Sequence, residues 1–306
     1  MNELILKIFD AVRDRFTLAE IENLEPYELV RLVELYTTEQ LQADLVPVLE
    51  SIIVDNGAPA KVIEFLPKGA ITAPYAFSIA APNTARYIQE YTARHVVEIS
   101  QNTAKAIQQT VARNETSGIN PRTTAREVKA NIGLTAKQEQ AVANYKSFLQ
   151  NGDRQALHRE LRDKRFDSSV LNAIENDKKL SSEQINKMTD RYRQKYIKYR
   201  SEVIARTEQI TAVSVGQHQS MLQALDEGKI SPRLRRQWVF RHDGKARHWH
   251  RNVAMLNPKG VAVDGKYLTQ PPGSAEYLDH PRDPINGSAS NVIQCRCGEK
   301  YYMVQL

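Results

Sequence analysis

The apolar positions of the first third of the chain recur with helical spacing. The first stripe occupies positions i, i+1, i+4, i+5 and i+8, namely Leu4, Ile5, Ile8, Phe9 and Val12. A second amphipathic stretch begins at Pro26, a residue suited to the first turn of a helix, and ends at Asn56-Gly57. Because each stretch presents one apolar face, the pattern predicts helices packed on a core.

The middle of the chain extends this helical pattern. Residues 67–82 contain three prolines and little charge, which indicates a connector, and a long helix follows whose stripe recurs every four residues from Tyr87 to Val111. Within 191–200 tyrosines alternate with Lys and Arg; a core-facing tyrosine stripe is favoured there over a surface that stacks on bases. Further helices, each opened by Thr, Ser or Asp, are predicted at 122–131, 135–150, 155–163, 167–176 and 182–215.

The pattern changes after Gly228. The predicted elements are a strand at 237–241, a short helix at 245–256, a hairpin that turns at Asp264-Gly265 between 261–263 and 267–268, a loop at 270–290, and two closing apolar runs at 291–296 and 300–305. The expected fold class is therefore α+β, with a mainly helical N-terminal two-thirds and a small C-terminal α+β domain. The predicted regions are an acidic helical N-terminal region at 1–82, a helical region at 83–215 and the C-terminal domain at 216–306.

Charge is distributed unevenly along the chain. The net charge of the 306 residues is +6, but residues 1–66 hold 5 Lys and Arg against 13 Asp and Glu, which makes that stretch −8 and leaves +14 for the rest. The basic body suggests a polyanion as partner, and the acidic end suggests a protein partner. A solvated surface of mixed sign is an equal alternative on charge alone.

Two further features of the sequence indicate the compartment in which the protein is made. No apolar run approaches the ~20 residues that span a bilayer, and the first residues interleave charges with apolar positions, so neither a membrane span nor a signal peptide is expected. The two cysteines, Cys295 and Cys297, are too few for a disulfide framework. A reducing, cytoplasmic site of synthesis is therefore expected.

Basic residues are concentrated in 233–251, where a single acid, Asp243, stands among seven cations. Such residues contact phosphates without reading sequence, and the resulting affinity falls with salt because counterions are released. An internal pair between Arg247 and Asp243 is the alternative use for one of them. The predicted DNA-binding residues are Arg233, Arg235, Arg236, Arg241, Lys245, Arg247 and Arg251.

Histidines and both cysteines cluster in the last 65 residues and predict a zinc site. The proposed ligands are His250, Cys295 and Cys297, with His280 or His248 as a fourth. In a strand the two thiols would lie ~6.6 Å apart, whereas thiolates on one zinc ion lie ~3.8 Å apart, so the chain would have to curl between them. The competing interpretation, which the rarity of C-x-C among structural zinc sites favours, is a pair of thiols that pack as small hydrophobic groups beside a surface histidine.

Catalysis at the same residues is the less favoured interpretation. Asp243, Asp279 and Asp283 offer carboxylates to a metal-dependent nuclease or hydrolase. Each has a simpler role, since Asp243 can cap a helix and Asp283-Pro284 favours a turn. The sequence holds no H-E-x-x-H, P-loop, G-x-S-x-G or Rossmann glycine pattern, and a non-enzymatic protein is expected.

Three blocks in order resemble the phage Mu F-like, or head morphogenesis, minor capsid proteins. The first is Ala205-Arg206-Thr207-Glu208, where the family shows A-R-T-E; the second is 243–250, Asp-Gly-Lys-Ala-Arg-His-Trp-His, similar to D-x-R-T-R-x-x-H; the third is Gln294-Cys295-Arg296-Cys297, similar to N-C-R-C. The resemblance covers about residues 120 to 304. This chain has Lys245, Ala246 and Gln294 where the family has Arg, Thr and Asn.

The resemblance implies a minor head protein of a tailed phage, bound to the portal and acting in procapsid assembly, DNA packaging or genome ejection. It implies the portal protein, a scaffold or major capsid protein and non-specifically bound double-stranded DNA as partners, and no membrane. The protein would reside in the host cytoplasm during assembly and afterwards in the capsid near the portal. The alternatives are the metal-dependent nuclease or hydrolase and a host-encoded DNA-binding protein derived from a prophage.

Overall fold

The computed structural model describes residues 1–305. It is mainly helical, with a small strand-containing region near the C-terminus, and confirms the predicted α+β class. Among residues 1–305, none of the helices combines the length and the apolar character that a membrane span requires. The helices are α1 (Asn2–Asp14), α2 (Leu18–Asn23), α3 (Pro26–Asp44), α4 (Val46–Gly57), α5 (Pro59–Glu64), α6 (Pro82–Thr116), α7 (Pro121–Asn131), α8 (Ala136–Gln150), α9 (Asp167–Glu175), α10 (Ser182–Asp226), α11 (His248–Leu256) and α12 (Ala289–Val292).

Several helices begin where the sequence provides a cap. The Thr135 side chain accepts a hydrogen bond from Gln138 N, while the Gln138 side chain accepts one from Thr135 N, so the two residues form a capping box for α8. The Asn120 side chain accepts a hydrogen bond from Thr123 N and so caps α7, with Pro121 as the first helical residue. The predicted helix at 155–163 is only a short 3₁₀ turn, Arg154–His158, which Asp153 caps.

The described chain divides into two compact units, each assembled from segments distant in sequence. One unit comprises 2–44 and 96–202, and the other comprises Met1, 45–95 and the chain from 203 onward. The three consecutive regions predicted from the sequence do not coincide with these units. Since α6 and α10 each contribute to both units, a boundary placed by composition alone could not follow this division.

The unit of residues 2–44 and 96–202 has a helical core. Val12 and Phe16 at the end of α1 pack in one cluster with Leu29 and Val33 of α3 and with Val128 of α7. The acidic N-terminal helices are therefore part of a folded core, because their apolar stripe is buried against helices that follow much later in the chain.

Two antiparallel strand pairs lie in the unit that contains the C-terminal region. The strands are β1 (Leu234–Val239), β2 (Tyr267–Thr269), β3 (Glu276–Leu278) and β4 (Gly298–Met303). Strand β1 pairs with β4, with Trp238 opposite Glu299. Strand β2 pairs with β3, and Val261 forms a bridge with Arg236 of β1. The predicted hairpin around Asp264-Gly265 is therefore wrong: 261–263 extends the edge of β1, and the partner of β2 lies within the predicted loop.

Gly216 lies where α10 crosses α4, and it has room for hydrogen only. A Cβ at this position would lie 2.4 Å from the carbonyl oxygen of Ile53. We expect Gly216→Ala to destabilise this unit by ~1–3 kcal/mol, because the helices must move apart. A loss of stability would be informative, because Gly→Ala at a solvent-exposed position within a helix usually stabilises a protein by up to ~1 kcal/mol. Urea unfolding measures the effect, and Gln217→Ala, at the adjacent half-buried position, is the control.

Candidate metal centre and cationic loop

Three side chains from two separate segments form a buried cluster. His250 is in the first turn of α11, and Cys295 and Cys297 lie between α12 and β4. His250 Nδ1 lies 3.6 Å from Cys295 Sγ and 3.4 Å from Cys297 Sγ, and the three potential ligand atoms all lie within 4.8 Å of one another. This cluster can bind a metal ion such as zinc.

The distances match those of a tetrahedral zinc site. Bonds of ~2.3 Å to sulfur and ~2.0 Å to nitrogen at a tetrahedral angle place a ligand nitrogen about 3.5 Å from a ligand sulfur. The two observed nitrogen–sulfur distances, 3.6 and 3.4 Å, are close to this value. Little side-chain movement would be needed to bind the ion.

The backbone explains how two cysteines with one residue between them can meet one histidine. Gln294 has a φ of 55°, in the left-handed region that non-glycine residues seldom adopt. Cys295 N donates to the carbonyl oxygen of Val292, and β4 begins only at Gly298. The cysteines are thus not in a strand. The chain turns at Gln294, ahead of both cysteines, whereas the predicted curl lay between them.

Asn291 fixes the orientation of the His250 ring. The Asn291 Nδ2 donates to Thr269 Oγ1 and to Glu276 Oε2, so its Oδ1 must act as the acceptor. That oxygen accepts hydrogen bonds from Trp249 Nε1 and from His250 Nε2, each at 2.8 Å. With its proton on Nε2, His250 directs the Nδ1 lone pair at the two sulfur atoms, as a metal ligand requires.

The electrostatics of the two thiols differ. The pKa of Cys295 is well below its usual range, chiefly because Cys297 donates a hydrogen bond to it. The pKa of Cys297 is raised by that same hydrogen bond and by burial, while the Trp238 indole N–H acts in the opposite direction. One of the two sulfurs is thus already prepared to be a thiolate, the form that binds metal.

Access to the cluster is closed. His250 is 1% exposed, Cys295 2% and Cys297 3%. The contacts from Cys295 through His250 to Asn291 follow the order of a cysteine hydrolase triad. Such a nucleophile must reach a substrate carbonyl, which buried thiols cannot do, so the arrangement suits a structural metal better than catalysis.

The other proposed ligands lie elsewhere. His280 is buried, but its Nδ1 faces the carbonyl oxygen of Pro281 and its Nε2 lies 3.3 Å from the Tyr87 hydroxyl, so it is not part of the cluster and its prediction as a ligand is wrong. His248 is exposed. Sequence spacing could not separate these histidines, because β3 and the turn after it carry His280 away from α11.

The predicted DNA-binding residues fall into distinct environments. Arg236 is fully buried and donates to the carboxylate of Glu299 and to the carbonyl oxygens of Ala262, Asp279 and Gly265, so it cannot contact a phosphate and the prediction is wrong for this residue. Its alternation with Arg235 along β1 directs it into the core.

Arg233 and Arg235 lie at the start of β1. Arg233 is exposed, while the half-buried Arg235 donates to the nearby carbonyl oxygens of Pro232 and Leu234. Both lie at the N-terminal end of the six-residue strand, and the remaining cations follow its C-terminal end, roughly 17 Å away along β1. The predicted set is therefore not one continuous patch along the strand.

The remaining cations gather at one loop, residues 241–247, which we call the cationic loop. Asp243 accepts from Lys245 N at 3.0 Å and pairs with both Arg241 and Arg296. Arg251 donates to the carbonyl oxygens of Gly244 and Ala246. The predicted helix cap at Asp243 is thus a loop contact instead, since α11 begins only at His248.

Two contacts attach the cationic loop to the cysteine segment. The Arg296 guanidinium, between the two cysteines in sequence, pairs with Asp243, and Arg247 donates to the carbonyl oxygen of Ile293. The predicted internal pair of Arg247 with Asp243 is replaced by these contacts. The cysteine segment and the cationic loop are therefore in direct contact.

Sequence reasoning missed the buried polar contacts that support this region. Gln294 N donates to Thr207 Oγ1 at 3.2 Å, and the neighbouring Glu208 accepts from Tyr91 at 3.0 Å and lies 2.8 Å from His95 Nδ1. One sequence feature could have indicated these contacts. Thr207 and Glu208 are polar residues within a long predicted helix that has an apolar face, and buried polar groups need hydrogen-bond partners.

The tyrosine run is divided between core and surface. Tyr192 is buried and stacks on Tyr145, whereas Tyr199 is 47% exposed. Arg200 is buried and donates to the carbonyl oxygens of Leu134 and Ile99, and burial lowers its pKa to about 9. These contacts favour the core interpretation of the run.

Comparison with protein-family models, with curated proteins and with solved structures finds no match to this chain. The likeness to Mu F-like minor head proteins therefore stays a hypothesis that rests on its own residues.

Proposed function

We propose that this protein is a structural minor head protein of a tailed phage that associates with the portal and binds double-stranded DNA non-specifically. One observation carries the proposal: the three blocks that resemble the family, far apart in sequence, meet at one place. Thr207 contacts Gln294, Asp243 pairs with Arg296, and His250 lies against Cys297. Blocks that matched by chance would have no reason to converge.

Zinc in this protein would have a structural role. We propose that His250, Cys295 and Cys297 bind it, with the fourth position taken by water or by a group from outside the cluster. The ion would bring together α11 and the segment before β4, and through Asp243 and Arg296 it would hold the cationic loop. Burial of the ligands supports this role over hydrolysis.

The cationic loop is the proposed DNA contact. The side chains of Arg241, Lys245 and Arg251 are exposed, and Arg296 lies beside them as a fourth cation. Asp243, which pairs with Arg241 and Arg296, supplies one negative charge against these four positive charges. A dense group of positive charge favours counterion release from DNA without sequence selection. The portal would contact the acidic N-terminal helices, whose exposed carboxylates complement a basic surface.

We expect replacement of Arg241, Lys245 and Arg251 by Gln to weaken DNA binding. Each lost phosphate contact lowers the slope of log affinity against log salt by about 0.9, so the triple variant should lose up to about 3 in slope. Fluorescence anisotropy with a labelled 30-base-pair duplex at several salt concentrations measures this.

The matched control removes the same charge elsewhere, at the exposed residues Lys178, Lys179 and Lys187. Equal losses in the two triple variants would show that only net charge matters and would reject the loop as the contact. Incubation of the wild-type protein with plasmid and Mg²⁺, Mn²⁺ or Zn²⁺ tests the alternative: cleavage that disappears in His250→Ala would establish a nuclease instead.

A further inference from the structure

A cavity of about 390 Å³ lies in the unit that contains the C-terminal region, away from the cysteine cluster. One wall is a face of α6 at Asn83, Arg86, Tyr87 and Glu90, and the opposite wall is a face of α10 at Gln219, Leu222, Gln223 and Asp226. Both sets follow the i, i+3, i+4, i+7 spacing of a single helix face. The loop that carries Asp279 and Asn286 also contributes to the lining.

Gln219 is the unusual member of this lining. Its side chain is 97% buried, since only 3% is exposed, yet its carboxamide forms no hydrogen bond with any residue in 1–305. Its polar atoms keep contact with the cavity, so a ligand there could satisfy them.

Hydrogen-bond acceptors dominate the cavity. The Asn286 Nδ2 is used on Asp279 and Asp283, which leaves its Oδ1 free to accept. The Gln223 carboxamide is already hydrogen-bonded: its Oε1 accepts from Ser78 N, and its Nε2 donates to Ser78 O and Thr84 Oγ1. The Gln219 Oε1 and the carboxylates of Glu90 and Asp226 remain as further acceptors within the described residues.

The net charge of the lining side chains is negative, which also favours a cationic ligand. Three carboxylates line the cavity against one guanidinium, that of Arg86. Lys266 pairs with Asp279 at 3.3 Å, while Glu90 and Asp226 have no ion-pair partner among residues 1–305. Gln219 and Asp226 are seven residues apart on α10, about 10.5 Å along the axis, so an elongated ligand can reach both.

We propose that this cavity binds an organic cation with several N–H donors, an alkylammonium or guanidinium group. The Gln219 amide and Asn286 accept from it, and Glu90 and Asp226 balance its charge. The same chemistry is offered by a free polyamine and by the side chain of an arginine or lysine in a protein segment, and the two sources are separable by experiment.

Isothermal titration calorimetry with the full chain at low salt tests the proposal. The probes are spermidine, for the free polyamine, and N-acetyl-arginine amide, for a protein side chain. Tetramethylammonium has the same charge as the arginine probe and no N–H donor. We expect saturable 1:1 binding of at least one donor-bearing probe and none of tetramethylammonium.

Variants locate the binding. Asp226→Asn should weaken it about tenfold or more, because hydrogen bonds to a charged group are stronger than those to a neutral one, and Gln219→Leu should weaken it about threefold or more. Glu227→Gln, the exposed acidic neighbour outside the lining, should leave it unchanged. The proposal is overturned if neither donor-bearing probe saturates, if tetramethylammonium binds equally, or if Asp226→Asn has no more effect than Glu227→Gln. Because Asp226 is exposed, its substitution tests the site even where Gln219→Leu impairs folding.

Discussion

Protein produced with zinc in the medium is expected to carry about one zinc ion per chain, and to lose it in Cys297→Ser and in His250→Ala. Removal of the ion should lower the unfolding temperature. With free zinc at about a thousandfold the Kd, bound metal stabilises the native state by roughly 4 kcal/mol, which corresponds to roughly 10 °C in a chain of this size. Elemental analysis gives the zinc content.

Tryptophan fluorescence gives the unfolding temperature of the relevant unit. Both tryptophans, Trp238 and Trp249, lie beside the cluster, and the Trp238 ring centre is 5.3 Å from that of His250. His248→Ala is the matched control, because it removes an exposed histidine two residues from the proposed ligand. Zinc below about 0.2 equivalents, with no thermal shift on chelation, would rule out the structural metal.

Arg236→Met is expected to destabilise the same unit by about 3–5 kcal/mol, the cost of breaking a buried ion pair by removal of one partner. The substitution leaves the Glu299 carboxylate, 10% exposed, without its guanidinium 2.8 Å away. It also leaves the carbonyl oxygens of Asp279 and Gly265 without donors. Each orphaned acceptor adds to the loss.

Guanidinium chloride unfolding followed by tryptophan fluorescence measures the change. Arg235→Met, one residue away, removes only local hydrogen bonds to carbonyl oxygens and should cost less than about 1 kcal/mol. Arg236→Met combined with Glu299→Gln should recover part of the loss, because the uncompensated charge is gone. Equal effects of the two single variants would mean that the buried network contributes nothing specific.

Local sequence rules predicted much of the helical part of the chain. Apolar stripes identified α1 and the long helices, and the helices predicted at 122–131 and 135–150 match α7 and α8 within one residue. Helix boundaries depend on contacts three or four residues apart, which a sequence shows directly. The clustering of His250 with the two cysteines was predicted on composition and helical spacing, and the structure places these three together.

The sequence did not predict which strands pair or which histidine side chain faces the cysteines. Whether β2 pairs with 261–263 or with β3 depends on contacts that local turn preference does not determine, and the Asp264-Gly265 signal favoured the wrong partner. His280 and His250 look alike in sequence, but the pairing of β2 with β3 decides that only His250 meets the cysteines.

The sequence by itself determined most of the helices, that the basic charge follows an acidic start, and that thiols and an imidazole are available near the C-terminus. Tertiary structure alone decided that Arg236 is a core residue while Lys245 faces solvent, and that two long helices contribute to both units. The physical reason is the distance along the chain over which each kind of interaction acts. Periodicity and capping act within one or two turns, whereas burial and ion pairing depend on segments that only folding brings together.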